Sequence, residues 1–313
     1  MSIIKSVKPT NGLTFITTCL ALTAFAANSV LCRLAMGDSS IDPAGFTGIR
    51  MLSGAITLAF IVIFFTRGNA NNHTKSSDKP QSNNISLRRA FSIADTKGWL
   101  SSAMLFGYAV FFSFAYVKLN TASGALILFA TVQFTMIGVS VFKGDNLRIK
   151  EWLGVVISFV GFVLLMLPSA TQPSLVGFVL MVIAGVFWAL YTLLGRGAKA
   201  PVLLTADNFI RCAPLALIFL LFSLFRYEFN WQGAWYAVAS GAIASGIGYS
   251  IWYLALRNLS ITQAAISQLC VPLIAAVGGV IFINESLTTD LVVAGGLILT
   301  GILIVSLKQV KIK

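Results

Sequence analysis

Long apolar runs separated by short polar connections dominate this sequence from residue 13 onward. Ten of these runs approach 20 residues with few or no charges, which is about the length a helix needs to cross roughly 30 Å of hydrocarbon. They lie near residues 13–34, 44–66, 98–117, 121–141, 152–168, 174–195, 204–225, 232–254, 262–283 and 290–307. The pattern predicts an all-α integral membrane protein with ten transmembrane helices.

Composition agrees with this class, since 57% of the residues are hydrophobic and only 10% are charged. The net charge of +12 does not indicate a nucleic-acid partner, because the basic residues lie in short connections between apolar runs rather than along one polar face. The expected partners are the lipid bilayer and a small-molecule substrate. The four cysteines show no CxxC or Cys/His spacing, so we expect neither a metal site nor a cofactor.

Basic residues are biased toward one set of connections, which orients the helices. The bias predicts a multi-pass protein of the cytoplasmic (inner) membrane with both termini in the cytoplasm. The one long polar segment, residues 67–97, is rich in Asn, Ser and Lys and is predicted to be a disordered cytoplasmic linker between the second and third spans.

Residues 125–166 and 265–306 form a weak internal repeat at a constant offset, which pairs Gly138 with Gly278 and Gly161 with Gly301. These small residues are predicted to lie where helices approach closely. Five spans per half is an odd number, so the second half enters the bilayer upside down, as in many alternating-access transporters. We therefore predict two inverted five-helix repeats, residues 13–168 and 174–307.

Several motifs resemble one known family. They are the segment from Trp188 to Arg196, Arg211 in the following span, and the run from Asn258 through Pro272 and Glu285 to Gly301. With these residues the chain resembles the drug/metabolite transporter superfamily, in particular its ten-span EamA-type families. The resemblance implies a carrier built from two inverted repeats, with a central cavity lined by spans one, three, four, six, eight and nine. It also implies amino-acid or metabolite export.

Polar and aromatic side chains at mid-membrane depth should mark that cavity, because an unpaired polar group facing lipid is costly. An amide near the centre of a span must find a partner, and a wet cavity supplies one. The predicted substrate-binding residues are Asn28, Tyr108, Gln133, Trp188, Tyr191, Tyr249 and Gln268.

A second group of residues is predicted to have gating or structural roles. Gly246, Gly248 and Pro272 can loosen the helical ladder of spans eight and nine, although simple close packing is an alternative. Arg50 and Arg211 are the full charges clearly inside spans. They are either gate or substrate-carboxylate contacts related by the repeat or, for Arg211, part of an ion pair within one helix with Asp207.

The mid-membrane regions contain no Asp or Glu, which favours neutral or zwitterionic cargo over organic cations. We expect a secondary transporter that exports such metabolites, first of all amino acids, by alternating access. Because two fused repeats can enclose a pathway alone, a monomer is the expected functional unit. Export of other small metabolites or drugs and a channel-like pore are the alternatives. Catalytic residues are not expected, because the spans hold neither a histidine nor a nucleophile motif.

Overall fold

The computed structural model describes residues 11–37, 41–72, 95–142, 144, 149–166, 173–195, 198, 200–256, 258–259 and 267–306. This described part is helical and contains no strand, which confirms the all-α prediction. Its ten helices are α1 Asn11–Met36, α2 Pro43–Asn72, α3 Thr96–Tyr116, α4 Thr121–Phe142, α5 Ile149–Leu165, α6 Leu175–Gly195, α7 Pro201–Arg226, α8 Trp231–Leu256, α9 Cys270–Ile283 and α10 Thr289–Ser306.

Seven of these helices, α1 to α4 and α6 to α8, are long and apolar enough to cross a membrane. The other three are shorter, and α9 has only 14 residues. The predicted ninth span began at residue 262, but α9 begins at Cys270, and residues 260–266 lie outside the described part.

Both ends of the predicted linker are helical in the structure. Helix α2 continues to Asn72, and α3 begins at Thr96. Asp95 is the N-cap of α3, where its side chain accepts a hydrogen bond from the Gly98 backbone N–H at 3.1 Å. The linker prediction therefore began too early and ended too late, while residues 73–94 lie outside the described part.

The main contacts between helices follow a regular scheme. Helix α2 packs on α7, α4 on α9 and α5 on α10. In addition, α3 packs on α6 while α8 packs on α1, and α4 packs on α6 while α9 packs on α1. Suppose that each of the first five helices is exchanged for its counterpart in the last five, α1 for α6, α2 for α7 and so on. The first three contacts then map onto themselves, and the other four form two pairs that interchange.

The contact between α5 and α10 shows the same correspondence between the two halves at the level of single residues. A Cβ on Gly161 would lie 2.9 Å from the carbonyl oxygen of Ala294, and a Cβ on Gly301 would meet the carbonyl oxygen of Gly154. The repeat offset of Gly161 and Gly301 also relates Gly154 to Ala294. Between these two contacts, the Ser158 hydroxyl donates a 3.0 Å hydrogen bond to the Ile298 carbonyl. Small residues thus bring the two backbones together.

Candidate substrate cavity

A narrow cavity lies between α1, α3, α4, α6 and α8. It is lined by residues of three helices from the first half and two from the second: Phe25, Asn28, Ser29, Tyr108, Phe112, Leu128, Phe129, Trp188 and Tyr249. In the conformation described, the side chains leave space for little more than a water molecule. A larger molecule could enter only if these side chains moved apart.

Aromatic rings from both halves meet across the cavity. The ring centroids of Tyr108 and Trp188 are 4.7 Å apart, and those of Trp188 and Tyr249 are 5.4 Å apart. Phe25 of α1 contacts Tyr249 edge-on at 5.7 Å. The walls therefore offer ring faces, which bind apolar groups and cations, together with phenol hydroxyls that can donate hydrogen bonds.

Asn28 of α1 is the buried amide of this cavity. Its side-chain oxygen accepts hydrogen bonds from the Ser240 hydroxyl at 2.7 Å and the Ser245 hydroxyl at 3.4 Å. Both serines belong to residues Ser240–Ile247 of α8, which form a π-helical segment. Polar side chains of the two halves are thus joined directly beside the cavity.

The predicted loosening of the eighth span is present in the backbone, because the π-helical segment interrupts the α-helical pattern there. Gly246 lies inside this segment, and Gly248 follows it directly. Gly241 at its start packs against α2, where an added Cβ would collide with the Arg50 carbonyl. A role of this segment in gating stays a prediction.

Pro272 lies two residues after α9 begins at Cys270. Residues 267 and 268, just before α9, are also helical, and residues 260–266 lie outside the described part. Loosening of the ninth span by Pro272 therefore stays a prediction.

Four of the seven predicted substrate-binding residues line the cavity, namely Asn28, Tyr108, Trp188 and Tyr249. The other three are not among its lining residues. Tyr191 is buried in α6 with its ring 5.5 Å from that of Trp188, Gln133 is buried in α4, and Gln268 is partly buried just before α9. Their contact with substrate stays a prediction.

Sequence reasoning left Phe25, Phe112, Leu128 and Phe129 out of the candidate list, although all four line the cavity. For Phe25 a signal existed, because residues 25–33 of the first span align with residues 188–196 of the sixth, which places Phe25 opposite Trp188 and Arg33 opposite Arg196. The other three are apolar residues in apolar helices, and nothing in the pattern separates them from ordinary core residues.

Arg50 of α2 is buried beside the cavity, with 2% of its surface exposed. Its Nη2 donates to the Tyr108 hydroxyl at 3.3 Å, and its guanidinium carbon lies 5.4 Å and 5.0 Å from the ring centroids of Tyr108 and Phe112. Within the described residues no carboxylate forms a salt bridge with it, and its Nη1 is buried without a hydrogen-bond partner.

Arg211 of α7 is equally buried but is neutralised. Its Nη2 lies 2.5 Å from a carboxylate oxygen of Asp95, and its guanidinium carbon is 5.7 Å from the Trp99 ring centroid. Gly98 leaves the space for this guanidinium, since an added Cβ would overlap it. An ion pair with Asp207 of the same helix was one of the two interpretations of Arg211. The salt bridge in the described part comes from Asp95, the N-cap of α3, which the predicted linker had included.

A third arginine, Arg33, takes part in a charged cluster where α1, α3 and α9 end and α4 begins. The Glu285 carboxylate accepts hydrogen bonds from the Thr121 backbone N–H, at 2.9 and 3.0 Å to its two oxygens, and from the Thr121 hydroxyl at 3.0 Å. Arg33 lies 3.4 Å from Glu285 and donates to the Tyr116 carbonyl at 3.0 Å. The carboxylate therefore caps α4 and holds α1 and α9 to it.

Glu285 reaches this position because of how α9 ends. Asn284 has a left-handed backbone with φ of 57°, a conformation that asparagine adopts more readily than most residues. The Glu285 backbone N–H then returns to the Gly279 carbonyl at 3.1 Å. Sequence reasoning placed Glu285 in a loop but did not identify its partners Thr121 and Arg33, of which the nearer, Thr121, is 164 residues away along the chain.

The EamA-like transporter family matches this sequence twice, over residues 12–167 and residues 175–307. An uncharacterized protein of Pseudomonas aeruginosa, PA1977, is 38% identical over 292 residues, which cover 93% of this chain and 94% of that protein. The uncharacterized transporter YoaV of Bacillus subtilis is 20% identical over 277 residues, covering 85% of this chain and 88% of the relative.

An uncharacterized transporter of Archaeoglobus fulgidus is 28% identical over 221 residues, covering 67% of this chain and 76% of the relative. Among solved structures, one protein crystal structure superimposes with a TM-score of 0.61 at 18% identity, covering 95% of this chain and 99% of the other. This likeness establishes a shared fold. The two family matches and the relatives named as transporters identify the protein as a multi-pass membrane transporter rather than an enzyme, and the chain belongs to the EamA-like transporter family.

Proposed function

We propose that this transporter is a secondary carrier that exports small neutral or zwitterionic metabolites, first of all amino acids, by alternating access. The observation that carries the proposal is the central cavity, which α1, α3 and α4 of the first half line together with α6 and α8 of the second. A binding site shared between two halves can face either side of the membrane as one half tilts against the other.

The proposed architecture consists of two inverted five-helix repeats in the cytoplasmic membrane, with both termini in the cytoplasm. Two observations support it. The family matches each half separately, and the helix contacts map onto one another when the halves are exchanged. An odd number of spans per half then inserts the halves in opposite directions. Since both halves together enclose the cavity, one copy of the chain is sufficient for transport.

The chemistry of the cavity supports amino acids and similar metabolites as cargo. None of its lining residues is an Asp or Glu, so the buried carboxylate that would attract an organic cation is missing there. Ring faces of Trp188 and Tyr249 suit an apolar side chain, while Asn28 and the tyrosine hydroxyls suit polar backbone-like groups.

The charged cluster around Glu285 is the proposed closure on the outer side of the membrane. In the described conformation Glu285 fastens α4 and α9 to α1, three helices that surround or border the cavity. Opening the outer side requires that these hydrogen bonds break, and the π-helical segment of α8 is the proposed flexing element on the opposite wall.

Transport by purified protein in lipid vesicles tests this proposal. Vesicles loaded with unlabelled L-amino acids should take up the labelled L-isomer in exchange, with saturation and with little uptake of the D-isomer. The variant Asn28→Ala should reduce this flux, while Phe60→Ala, at a position with 68% exposure on the outside of the bundle, should leave it unchanged. Flux that neither saturates nor distinguishes isomers would identify a pore instead.

The direction of transport requires cells. Overexpression should protect cells from toxic amino-acid analogues by lowering their internal concentration. Increased sensitivity with increased accumulation would show uptake, and the export proposal would then be wrong while the carrier proposal stood.

A further inference from the structure

The charge on Arg50 is compensated in a different way from the charges of Arg33 and Arg211, two other described arginines inside the bundle. Arg211 pairs with Asp95, and Arg33 pairs with Glu285. Among the described residues, Arg50 contacts only the Tyr108 hydroxyl and two ring faces, and one of its guanidinium nitrogens has no hydrogen-bond partner there. An unneutralised charge in a low-dielectric interior is unfavourable unless something else stabilises it or makes use of it.

The position of Arg50 connects this charge to the cavity. Tyr108 and Phe112, the two residues that its guanidinium contacts, are both lining residues of the cavity. The Tyr108 hydroxyl accepts a hydrogen bond from the Arg50 guanidinium at 3.3 Å, and the Tyr108 ring lies 4.7 Å from the Trp188 ring in the cavity wall. A group bound among these rings therefore lies one side chain away from an uncompensated positive charge.

From this geometry we infer that Arg50 and the Tyr108 hydroxyl form the binding site for a carboxylate of the transported molecule. The inference rests on the proposed carrier function and narrows its substrate class. Guanidinium groups bind carboxylates through two parallel hydrogen bonds, and Arg50 has an unpaired nitrogen for one of them. The cargo is then a small molecule with one carboxylate and an apolar or aromatic remainder that packs on the rings.

The same site discriminates against other classes of cargo. A single guanidinium neutralises a single negative charge, so a molecule with a phosphate or several carboxylates would bring excess charge into the cavity. A cation without a carboxylate would be repelled by Arg50 at short range. An amino acid in its zwitterionic form carries the required carboxylate, and its ammonium group can face the ring surfaces.

Paired probes that differ only in the carboxylate test the inference on the full chain, purified in detergent. The pairs are benzoate with benzamide and L-phenylalanine with L-phenylalaninamide, and the measurement is the shift in melting temperature that each probe causes. The carboxylate member of each pair should raise the melting temperature of the wild type by several degrees more than the amide.

Substitutions then assign the effect to Arg50. Arg50→Gln should remove the difference between carboxylate and amide, and Arg50→Lys should weaken carboxylate binding about ten-fold, because lysine keeps the charge but not the paired donors. Tyr108→Phe should weaken it less. Arg226→Gln, the same chemical change at the exposed end of α7, should leave the difference intact.

Two results would overturn the inference: equal stabilisation by carboxylates and amides in the wild type, or a preference for carboxylates that survives in Arg50→Gln. Its failure differs from failure of the proposed function. If L-phenylalanine flux into vesicles is unchanged in Arg50→Gln, the protein is a carrier as proposed, but Arg50 does not bind the substrate carboxylate. If benzoate binding depends on Arg50 but no amino acid is transported, the site stands and amino acids are the wrong cargo.

Discussion

Arg50 and Arg211 lie in the second helix of the first and the second half of the chain, and both are buried, with 2% and 3% of their surface exposed. Arg211 reaches a carboxylate, Asp95, at the beginning of a neighbouring helix. Arg50 lies instead over the rings of Tyr108 and Phe112 beside the cavity. The comparison indicates two roles for a buried charge. A charge that the protein itself neutralises stabilises the fold, whereas a charge beside a cavity without a neutralising carboxylate is available to bind a ligand.

Removal of the carboxylate from the neutralised pair should have the largest effect on stability. Asp95→Asn leaves the Arg211 guanidinium buried without its counter-charge. We expect a loss of about 2 kcal/mol, below the value for a fully buried pair because the Asp95 side chain is 45% exposed. Thermal melting in detergent measures it, with Asp290→Asn at an exposed first-turn position of α10 as control. Equal melting of the two variants would contradict a stabilising role for the pair.

Neutralisation of Glu285 should have the next largest effect. Glu285→Gln keeps an acceptor for the Thr121 N–H but removes the charge that pairs with Arg33. The expected loss is about 1–2 kcal/mol, in the range of charge-assisted hydrogen bonds. The exposed Glu228→Gln is the matched control. If the cluster closes the outer side, the variant should also let an impermeant thiol reagent reach a cysteine placed at Asn28 from that side more readily.

Removal of the arginine from the same pair should cost less than removal of its carboxylate. Arg211→Gln leaves Asp95, which is half exposed and can be hydrated, so we expect a loss of about 1 kcal/mol. The double variant with Asp95→Asn should be more stable than Asp95→Asn alone, because the buried charge is then gone. A melting series of both single variants and the double variant measures this coupling. A double variant that is less stable than Asp95→Asn would contradict the explanation.

The smallest effect on stability is expected for Arg50. Arg50→Gln removes two ring contacts but also removes an unneutralised buried charge, and the two changes offset each other to within about 1 kcal/mol. Melting of the ligand-free variant next to Arg211→Gln measures this difference directly. If Arg50→Gln destabilises the protein as much as Asp95→Asn does, Arg50 stabilises the fold as Arg211 does, and the proposed difference between the two arginines is wrong.

Sequence reasoning predicted the helices well because membrane crossing imposes a simple length and composition on each span. It also placed Gly161 and Gly301 at close contacts between helices, which the structure confirms. The same argument was wrong for Gly138, where an added Cβ would meet no described atom within 4 Å. A repeat pattern shows which positions correspond, but it does not show which neighbour each position meets.

Partners between distant helices could not be predicted. Asp95 stood in a polar segment that resembled a linker, and only the packing of α3 on α7 brings it to Arg211. Glu285 stood in a short loop far along the chain from Thr121. In both cases the charged residue lies at a helix end, where sequence patterns are weakest, and its partner is set by the three-dimensional arrangement.

The contact between α5 and α10 has a consequence for the origin of this fold. Gly161 meets Ala294 and Gly301 meets Gly154, so each helix presents corresponding positions to the other. This is the geometry by which two identical subunits join through one surface. On the proposed inverted arrangement, a five-helix chain inserted in both orientations could already dimerise through this face. Joining two such copies end to end would then have kept an existing interface, and each half could afterwards change its buried arginine separately.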